Sequence, residues 1–379
     1  MKNQKICIIG DGLAGLTTAL AVKKLDLDIE LYIGASRPNK KIDQRITAIS
    51  ESNFNFIKDN LPISSLKFFW PCKKINLFYE NKNKHINFLN FEEKKKNLMY
   101  IFENNLLKKE IFKRLKSKNI KIIKKQVNSI NINEGALLID KKKFFYDAII
   151  LCLGPNSKMY DNIFDNRNIK KDYSEVAVTC KVKHNIGLKN PTQYFLKEGP
   201  LALLPYKNNY LSIVWSLATK TFNMEKNRLN SFIGKKLENL MGGKQKYVIS
   251  EVQSFPIKLN LQNKYYKKNI LVLGEGIHSI HPMAGQGFNL VIRDIKKLYE
   301  LLKNNITLGL SLKNSFLFEK FYTSRKPENI LFGLGVDLTN SFFRKNKILD
   351  PLKTIVIKNL KNFEQIKKIS KSISDNGLI

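Results

Sequence analysis

Cysteine and histidine are scarce in this 379-residue chain, with four of each, and acid is in short supply: 32 Asp and Glu face 66 Lys and Arg. The cysteines Cys7, Cys72, Cys152 and Cys180 are scattered, and Cys7 and Cys152 sit inside apolar strand-like runs. Neither a disulfide framework nor a zinc site is expected, and a reducing cytoplasm fits. No run approaches the roughly eighteen apolar residues of a spanning helix, which argues against an integral membrane protein. The first strand begins at Lys5 or Ile6, and the expectation is that no signal or transit peptide precedes it. Internal repeats and low-complexity linkers are also missing. What remains, at 43% hydrophobic residues, is enough to bury a large core in two intertwined domains.

The formal charge of +34 points either to a nucleic-acid or anionic-membrane surface or to lysine spread over solvated faces. The Lys-rich runs at 94–96 and 141–143 read as solvated turns. No basic cluster is interleaved with aromatics as a nucleic-acid module requires, so no nucleic acid partner is expected. Attraction to anionic lipid follows from the charge alone.

Two glycine-bearing segments carry the chemistry. Residues 6–15 read ICIIGDGLAG, an apolar run followed by Gly10, Gly12 and Gly15. That pattern is the strand–turn–helix entry that wraps a pyrophosphate, with the helix N-terminus facing the phosphate charge. Residues 270–290 read ILVLGEGIHSIHPMAGQGFNL, with Gly274, Gly276, Gly285 and Gly287 behind a second apolar run. Between them the spacing predicts strands over 5–10 and 29–33, a helix over 13–25, and a helix opened by 43–50 that runs to about Leu61. Antiparallel strands are expected over 70–91, an amphipathic helix with its entry turn over 99–115, and one buried strand over 144–152. A β-rich block follows over 176–215, then a strand over 269–273, a helix over 286–302 and helices from Asn314 onward. Parallel-type strands at both ends with an antiparallel block between them imply a domain assembled from distant segments.

Together these segments resemble the ubiquinone-biosynthesis ring hydroxylases, relatives of p-hydroxybenzoate hydroxylase. DQRITAIS (43–50) is similar to that family's D-x-R-x-x-A-L-S, MYIFENN (99–105) to its G-Y-V-V-E-N, and FLKEGPLALLP (195–205) with SIVWSL (212–217) to its F-x-x-x-G-P-L-A-L-L-P and S-V-V-W. HPMAGQGFNLVIRD (281–294) resembles its H-P-x-A-G-Q-G-x-N-L-G-x-x-D, and 318–329 with Asp337 fit its following helices. The resemblance implies an α/β fold: a three-layer, Rossmann-like FAD/NAD(P)-binding domain with an inserted β-rich substrate domain and a helical C-terminal region. The expected division is 1–70, 99–172 and 265–330 for FAD, 71–98 and 173–264 for substrate, and 331–379 for C-terminal helices.

The activity so implied is hydroxylation of a polyprenylated phenol through a flavin C4a-hydroperoxide, with FAD bound, NADH or NADPH as electron donor and O2 as cosubstrate. Gly10, Gly12, Leu13, Ala14, Gly15, Arg45, Gly274, Glu275, Gly287, Phe288 and Asn289 would bind the cofactor. Pro282, Gly285, Gln286 and Gly287 would form the catalytic loop, its backbone N–H groups meeting the negative charge of reduced flavin. The strand Pro200–Pro205 and Trp215 would wall the substrate. His278 and His281 lack a third neighbouring ligand, so they read as residues that fix the loop by hydrogen bonds and no metal is expected. Another flavin monooxygenase or reductase acting on an apolar ring, and a catalytically weak subunit of a quinone-biosynthesis complex, stay open. A lipophilic phenol implies peripheral contact with the cytoplasmic face of the inner membrane. The tail, with Lys353, Lys358, Lys361, Lys367, Lys368 and Lys371 among Ile355, Ile357, Leu360 and Phe363, suits an amphipathic lipid-facing helix.

Three departures from the family's pattern stand out. Ile33 stands where a ribose-binding acid is expected, with Glu30 one face away. In LCLGPNSKMY (151–160), Leu153 and Tyr160 replace the Asp and Arg of G-A-D-G-x-x-S-x-V-R, which implies slow reduction by NAD(P)H. Glu275 replaces the Asp that contacts the ribitol chain.

Overall fold

The computed structural model describes residues 4–344 apart from 35–42, 62, 82–83, 117–118, 162, 165–167, 186, 243–246 and 315. The expected tail helix with Lys353 to Lys371, and most of the 331–379 segment, lie outside the described residues.

The first apolar run forms the strand Lys5–Ile9, and its residues are buried on both faces, as a central parallel strand requires. It lies between Asp28–Tyr32 and Ala148–Leu151, with Ile6 beside Ile29 on one side and Ala148 on the other. Ile120–Ile123 and Ile270–Val272 extend the parallel sheet, and the antiparallel strand Tyr266–Lys267 closes one edge. Helices Leu13–Val22, Asn104–Leu115 and Gly287–Thr307 pack together over it. A small antiparallel sheet (Ser129–Asn131, Ala136–Ile139, Lys142–Phe145) adds Leu137 and Ile139 to the same core. The result is the expected layered α/β arrangement.

The second unit is built on a nine-stranded sheet. Its order runs His278–Ser279, Gln253–Leu261, Ile169–Lys183, Tyr210–Ala218, Gly199–Lys207, Thr192–Leu196, Lys74–Asn81 and Lys84–Glu92, with Val248–Ile249 beside Ile169–Lys183. Alternation along each strand separates two faces. Leu201, Leu203, Ile213, Trp215 and Leu217 face the helix Leu229–Met241 and bury Ile233 and Leu237 with it. Ala202, Val214 and Thr179, aligned across three neighbouring strands, occupy the other face.

Several sequence expectations need correction. Residues 99–115 were expected to be a helix with its entry turn. Instead Met99–Glu103 is a full strand paired with Ile46–Ser50 and Trp70–Cys72, and the helix begins at Asn104. Its aromatic and β-branched residues suit a strand paired on both sides. Ile46–Ser50 is likewise a strand, and the helix starts at Glu51, where the Ser50 side chain accepts from the Asn53 N–H. The run 144–152 divides between Lys142–Phe145 and Ala148–Leu151, which belong to different sheets. The expected boundary at 172/173 falls inside the strand Ile169–Lys183, and that at 330/331 falls inside the single helix Phe316–Phe343. Trp215 is not on the substrate side. It sits opposite Leu201 in register, shares that residue's face, and stacks on Phe232 with ring centroids 4.9 Å apart.

Candidate flavin site and substrate wall

At the end of strand Lys5–Ile9 the three glycines have separate reasons to be glycine. Gly10 has φ of +143°, and a Cβ there would lie 2.2 Å from the Cys152 carbonyl oxygen. A Cβ on Gly15 would lie 2.3 Å from the Gly10 carbonyl oxygen, so the close helix–strand crossing depends on it. Gly12 caps the helix Leu13–Val22 in extended conformation, and a Cβ there would meet no protein atom within 4 Å. Gly12 therefore borders open space at a helix N-terminus, beside the partly exposed Leu13 and Ala14. Gly154 and Gly287 border open space in the same way.

The second glycine segment forms two turns. Gly274–Gly276 follows strand Ile270–Val272, and Pro282 caps the turn Met283–Gly285, which leads through Gln286 into helix Gly287–Thr307. Gly285 has φ of +63°, a conformation that glycine adopts without strain. Asn289 is buried and fully engaged: its Oδ1 accepts from the Ser50 N–H at 2.9 Å and from Asn53 Nδ2 at 2.8 Å, and its Nδ2 donates to the Ala48 and Gly285 carbonyls. That side chain holds the loop to strand Ile46–Ser50. Phe288 packs its ring near Phe102 at the core edge. The Gln286 Oε1 is buried without a partner.

Arg45 and Glu275, far apart in sequence, are both exposed and lie close enough for their charges to interact. Arg45 makes a bidentate pair with Asp43 at 2.9 and 3.0 Å and lies over the Phe255 ring. The Asp43 hydrogen bonds hold its guanidinium above the ordinary value, with the charge of Glu275 adding to the effect. Glu275 is exposed at the tip of its turn.

The departures Leu153 and Tyr160 are coupled. The Tyr160 hydroxyl donates to the Leu153 carbonyl at 2.8 Å and accepts from the Leu153 N–H at 3.1 Å. It also abuts Gly276, where a Cβ would come within 2.6 Å of it. A neutral tie thus joins the loop after Leu151 to the turn that carries Glu275. Burial raises the Tyr160 pKa, so its proton stays in place. Glu30 is not available for a ribose. Its carboxylate accepts from Tyr146 and from Tyr32 and pairs with Lys5 at 2.9 Å. Burial pushes its pKa up, but these partners hold it below the ordinary value.

His278 and His281 serve different clamps. His278 donates through Nε2 to Asp294 at 2.6 Å, tying the loop to helix Gly287–Thr307. Asp294 also accepts from Arg325 Nε at 2.7 Å and Asn329 Nδ2 at 3.2 Å, on helix Phe316–Phe343. His281 accepts the Met283 N–H on Nδ1 and donates Nε2–H to Glu175 at 2.8 Å, which sets the neutral tautomer's orientation. Glu175 accepts from Arg344 as well, at 2.9 Å from its Nε. Burial raises the Glu175 pKa, but His281 and Arg344 together hold it below the ordinary value. These partners, distant in sequence by more than 100 residues for Glu175, had no spacing signal. Asn53 was equally silent, and Tyr160 was named only as a departure from the family's motif. Among the described residues no group of three or more His, Cys, Asp or Glu is placed to hold a metal ion.

These features fit a flavin dinucleotide. The open Gly12 edge with its helix N-terminus suits the pyrophosphate, the exposed Glu275 and Arg45 suit polar hydroxyl and phosphate groups, and the unpartnered Gln286 Oε1 marks the loop side. Opposite the loop, strand Gly199–Lys207 runs against Met283–Gly285 and presents the partly exposed Ala202 and Leu204.

A family model described as an FAD binding domain matches residues 156–308. The ubiquinone biosynthesis monooxygenase COQ6 of Dictyostelium discoideum is 24% identical over 97% of this chain and 90% of its own length. The 3-demethoxyubiquinol 3-hydroxylase of Escherichia coli K12 is 30% identical over 42% of this chain and 41% of its own length. Among solved structures, p-nitrophenol 4-monooxygenase PnpA from Pseudomonas putida superposes with a TM-score of 0.78 at 14% identity, covering 99% of both chains. Klebsiella pneumoniae HpxO, in complex with FAD and uric acid, gives 0.75 at 13% identity over 98% of this chain and 97% of that one. The two superpositions show the fold. With the paired glycine turns and the Pro282–Asn289 loop, the sequence matches make this chain similar to the FAD-dependent ubiquinone-biosynthesis hydroxylases.

Proposed function

We propose that the protein hydroxylates the aromatic ring of a polyprenylated phenol in ubiquinone biosynthesis, with NADH or NADPH as electron donor and O2 as oxygen source. The observation that carries this reading is the loop from Pro282 to Gly287 facing an apolar strand wall. When bound, FAD would supply the redox chemistry that links the nicotinamide donor and O2 to hydroxylation of the ring.

The residues of this chain hold and orient. Gly10, Gly12 and Gly15, with Leu13 and Ala14 in the first helical turn, offer backbone to the pyrophosphate. Glu275 and Arg45 serve its polar arms. The positive end of helix Gly287–Thr307 favours negative charge beside Gly285, Gln286 and Gly287. Asn289, His278 and His281 keep that loop rigid. Pro282, Ala202, Leu204 and Val214, all partly exposed, offer an apolar surface that would keep water from the reacting groups.

FAD-loaded protein mixed with a prenylated phenol should oxidise NADH or NADPH faster than without the phenol and yield the ring-hydroxylated product. Flavin that binds but supports neither reaction overturns the proposal. Lipid extracts of a deletion strain should accumulate the unhydroxylated quinone precursor. Leu153 supplies neither charge nor hydrogen bond from its side chain where the family motif has Asp, so reduction should be slow. In stopped-flow mixing, Leu153→Asp should be reduced faster than the parent, and equal rates would show that the position has no part in the donor step.

A further inference from the structure

Resting on the phenolic reading above, the sheet face opposite the flavin loop leads to a specific anchor. Glu175, Ala177 and Thr179 alternate along Ile169–Lys183 beyond its bulge, so they share one face. Register continues that face through Ala218 beside Glu175 and through Pro200 beside Phe195. Over these residues the C-terminal end of helix Phe316–Phe343 encloses a cavity of about 220 Å³, lined among others by Glu175, Phe195, Pro200, Asn340, Phe343 and Arg344. The flavin loop borders the same region: His281 bonds Glu175, and Met283 packs with Phe195.

Asn340 is the anomaly in this wall. It is 1% exposed, yet neither Nδ2 nor Oδ1 has a hydrogen-bond partner. A buried carboxamide left unpaired opposes folding, and such a group calls for a ligand or a specific reason. Glu175, the acid in the same wall, is already engaged by His281 and Arg344. The apolar walls are aromatic, with Phe195 and Phe343 stacked at 3.7 Å between centroids. An apolar cavity of about 150 Å³ accepts benzene. The larger space here, partly open and lined also by Lys197 and Glu198, has room for a ring with small oxygen substituents.

We propose that this cavity seats the oxygen-bearing aromatic head of the substrate and that the Asn340 carboxamide anchors it. The amide donates to a ring oxygen through Nδ2 and accepts a phenolic hydroxyl on Oδ1, a pairing that a ring carrying adjacent hydroxyl and alkoxy groups satisfies in full. The prenyl chain then leaves the cavity along the apolar sheet face.

The test uses the FAD-loaded full-length protein and 2-prenylphenol as probe, its binding read from the perturbation of the flavin absorbance. Asn340→Leu should raise the probe Kd at least tenfold, leave the Kd for FAD unchanged, and melt at or above the parent temperature because no unpaired amide remains. Asn340→Ala, which demands less space, should give the same loss of probe binding if leucine is not accommodated. Probe affinity within twofold of the parent in the folded variant overturns the assignment, with water or nothing in the cavity. Weaker binding accompanied by a lower melting temperature marks Asn340 as a structural residue and overturns it too. No perturbation by the probe in the FAD-loaded parent overturns the phenolic reading itself, a result distinguishable from loss in the variant alone.

Discussion

Gly10 and Gly12 belong to one motif, but substitution should separate their roles. A side chain at Gly10 collides with the Cys152 carbonyl, whereas one at Gly12 projects into space free of protein atoms. Gly12→Val should therefore fold with a melting temperature close to the parent and fail to retain FAD, measured by the flavin spectrum after gel filtration. Retention of stoichiometric flavin would place the pyrophosphate elsewhere. Glu275→Ala should weaken FAD binding roughly tenfold or more, as expected when a charged hydrogen-bond partner worth about 1.5–3 kcal/mol is lost, while Glu275→Asp should be tolerated. Equal affinity of all three proteins in a fluorescence titration would show that the carboxylate points away from the cofactor. The sequence made these backbone-led roles legible, because a glycine pattern encodes turn geometry directly. It named Tyr160 as a departure but not its partner: the hydroxyl bonds both polar atoms of the Leu153 backbone. It gave no sign that the Asn289 side chain is spent on Ser50, Asn53, Ala48 and Gly285. A side chain's partner across the fold leaves no local spacing to read.

Among elements, the two long C-terminal helices are joined through Asp294, which is fully buried and accepts from His278, Arg325 and Asn329. Burial pushes its carboxyl upward, but Arg325 and His278 outweigh that and hold it below the ordinary 3.8. A carboxyl depressed in the folded state contributes stability that is present above its unfolded value and is lost as pH falls through the folded value. Stability of the parent should therefore decline from about pH 4–5 downward, and urea titrations between pH 7 and 3 should show it. Asp294→Asn should cost about 3–5 kcal/mol at pH 7, the range for removing one partner of a buried pair, and toward the lower end because Glu328 still engages Arg325. Its stability should also fall less steeply in acid than that of the parent. An unchanged acid limb would assign the loss to other carboxylates such as Glu175. Elements with strong periodicity, such as helix Gly287–Thr307, were legible from sequence. Met99–Glu103 was not, because a five-residue strand followed directly by an amphipathic helix merges into one apolar pattern, and only pairing on both sides identifies it.

At the scale of the whole molecule, the assembly of one domain from distant segments was legible, because parallel-type strands at both ends must pair with each other. Its boundaries were not, since a continuous strand such as Ile169–Lys183 and a continuous helix such as Phe316–Phe343 cross the places where composition changes. Charge is the other molecular property that sequence gives directly, and it bears on how a lipophilic substrate is met. Among the described residues no helix is long and apolar enough to cross a membrane. A prenylated phenol partitions into lipid, so the proposed reaction requires the protein to meet it at a surface or receive it from a partner. With a formal charge of +34, attraction to anionic headgroups is available at about 1 kcal/mol for each suitably placed Lys or Arg. That attraction extends over roughly a Debye length of 8–10 Å at physiological salt. Co-sedimentation with vesicles containing anionic phospholipid should therefore be strong at low ionic strength, fall steeply as salt is raised, and vanish with purely zwitterionic vesicles. Adding a prenylated phenol to the vesicles should not restore binding at high salt, because the ring seats in the protein rather than anchoring it. Binding that ignores both salt and lipid charge would remove electrostatics as the route and leave delivery by a partner protein.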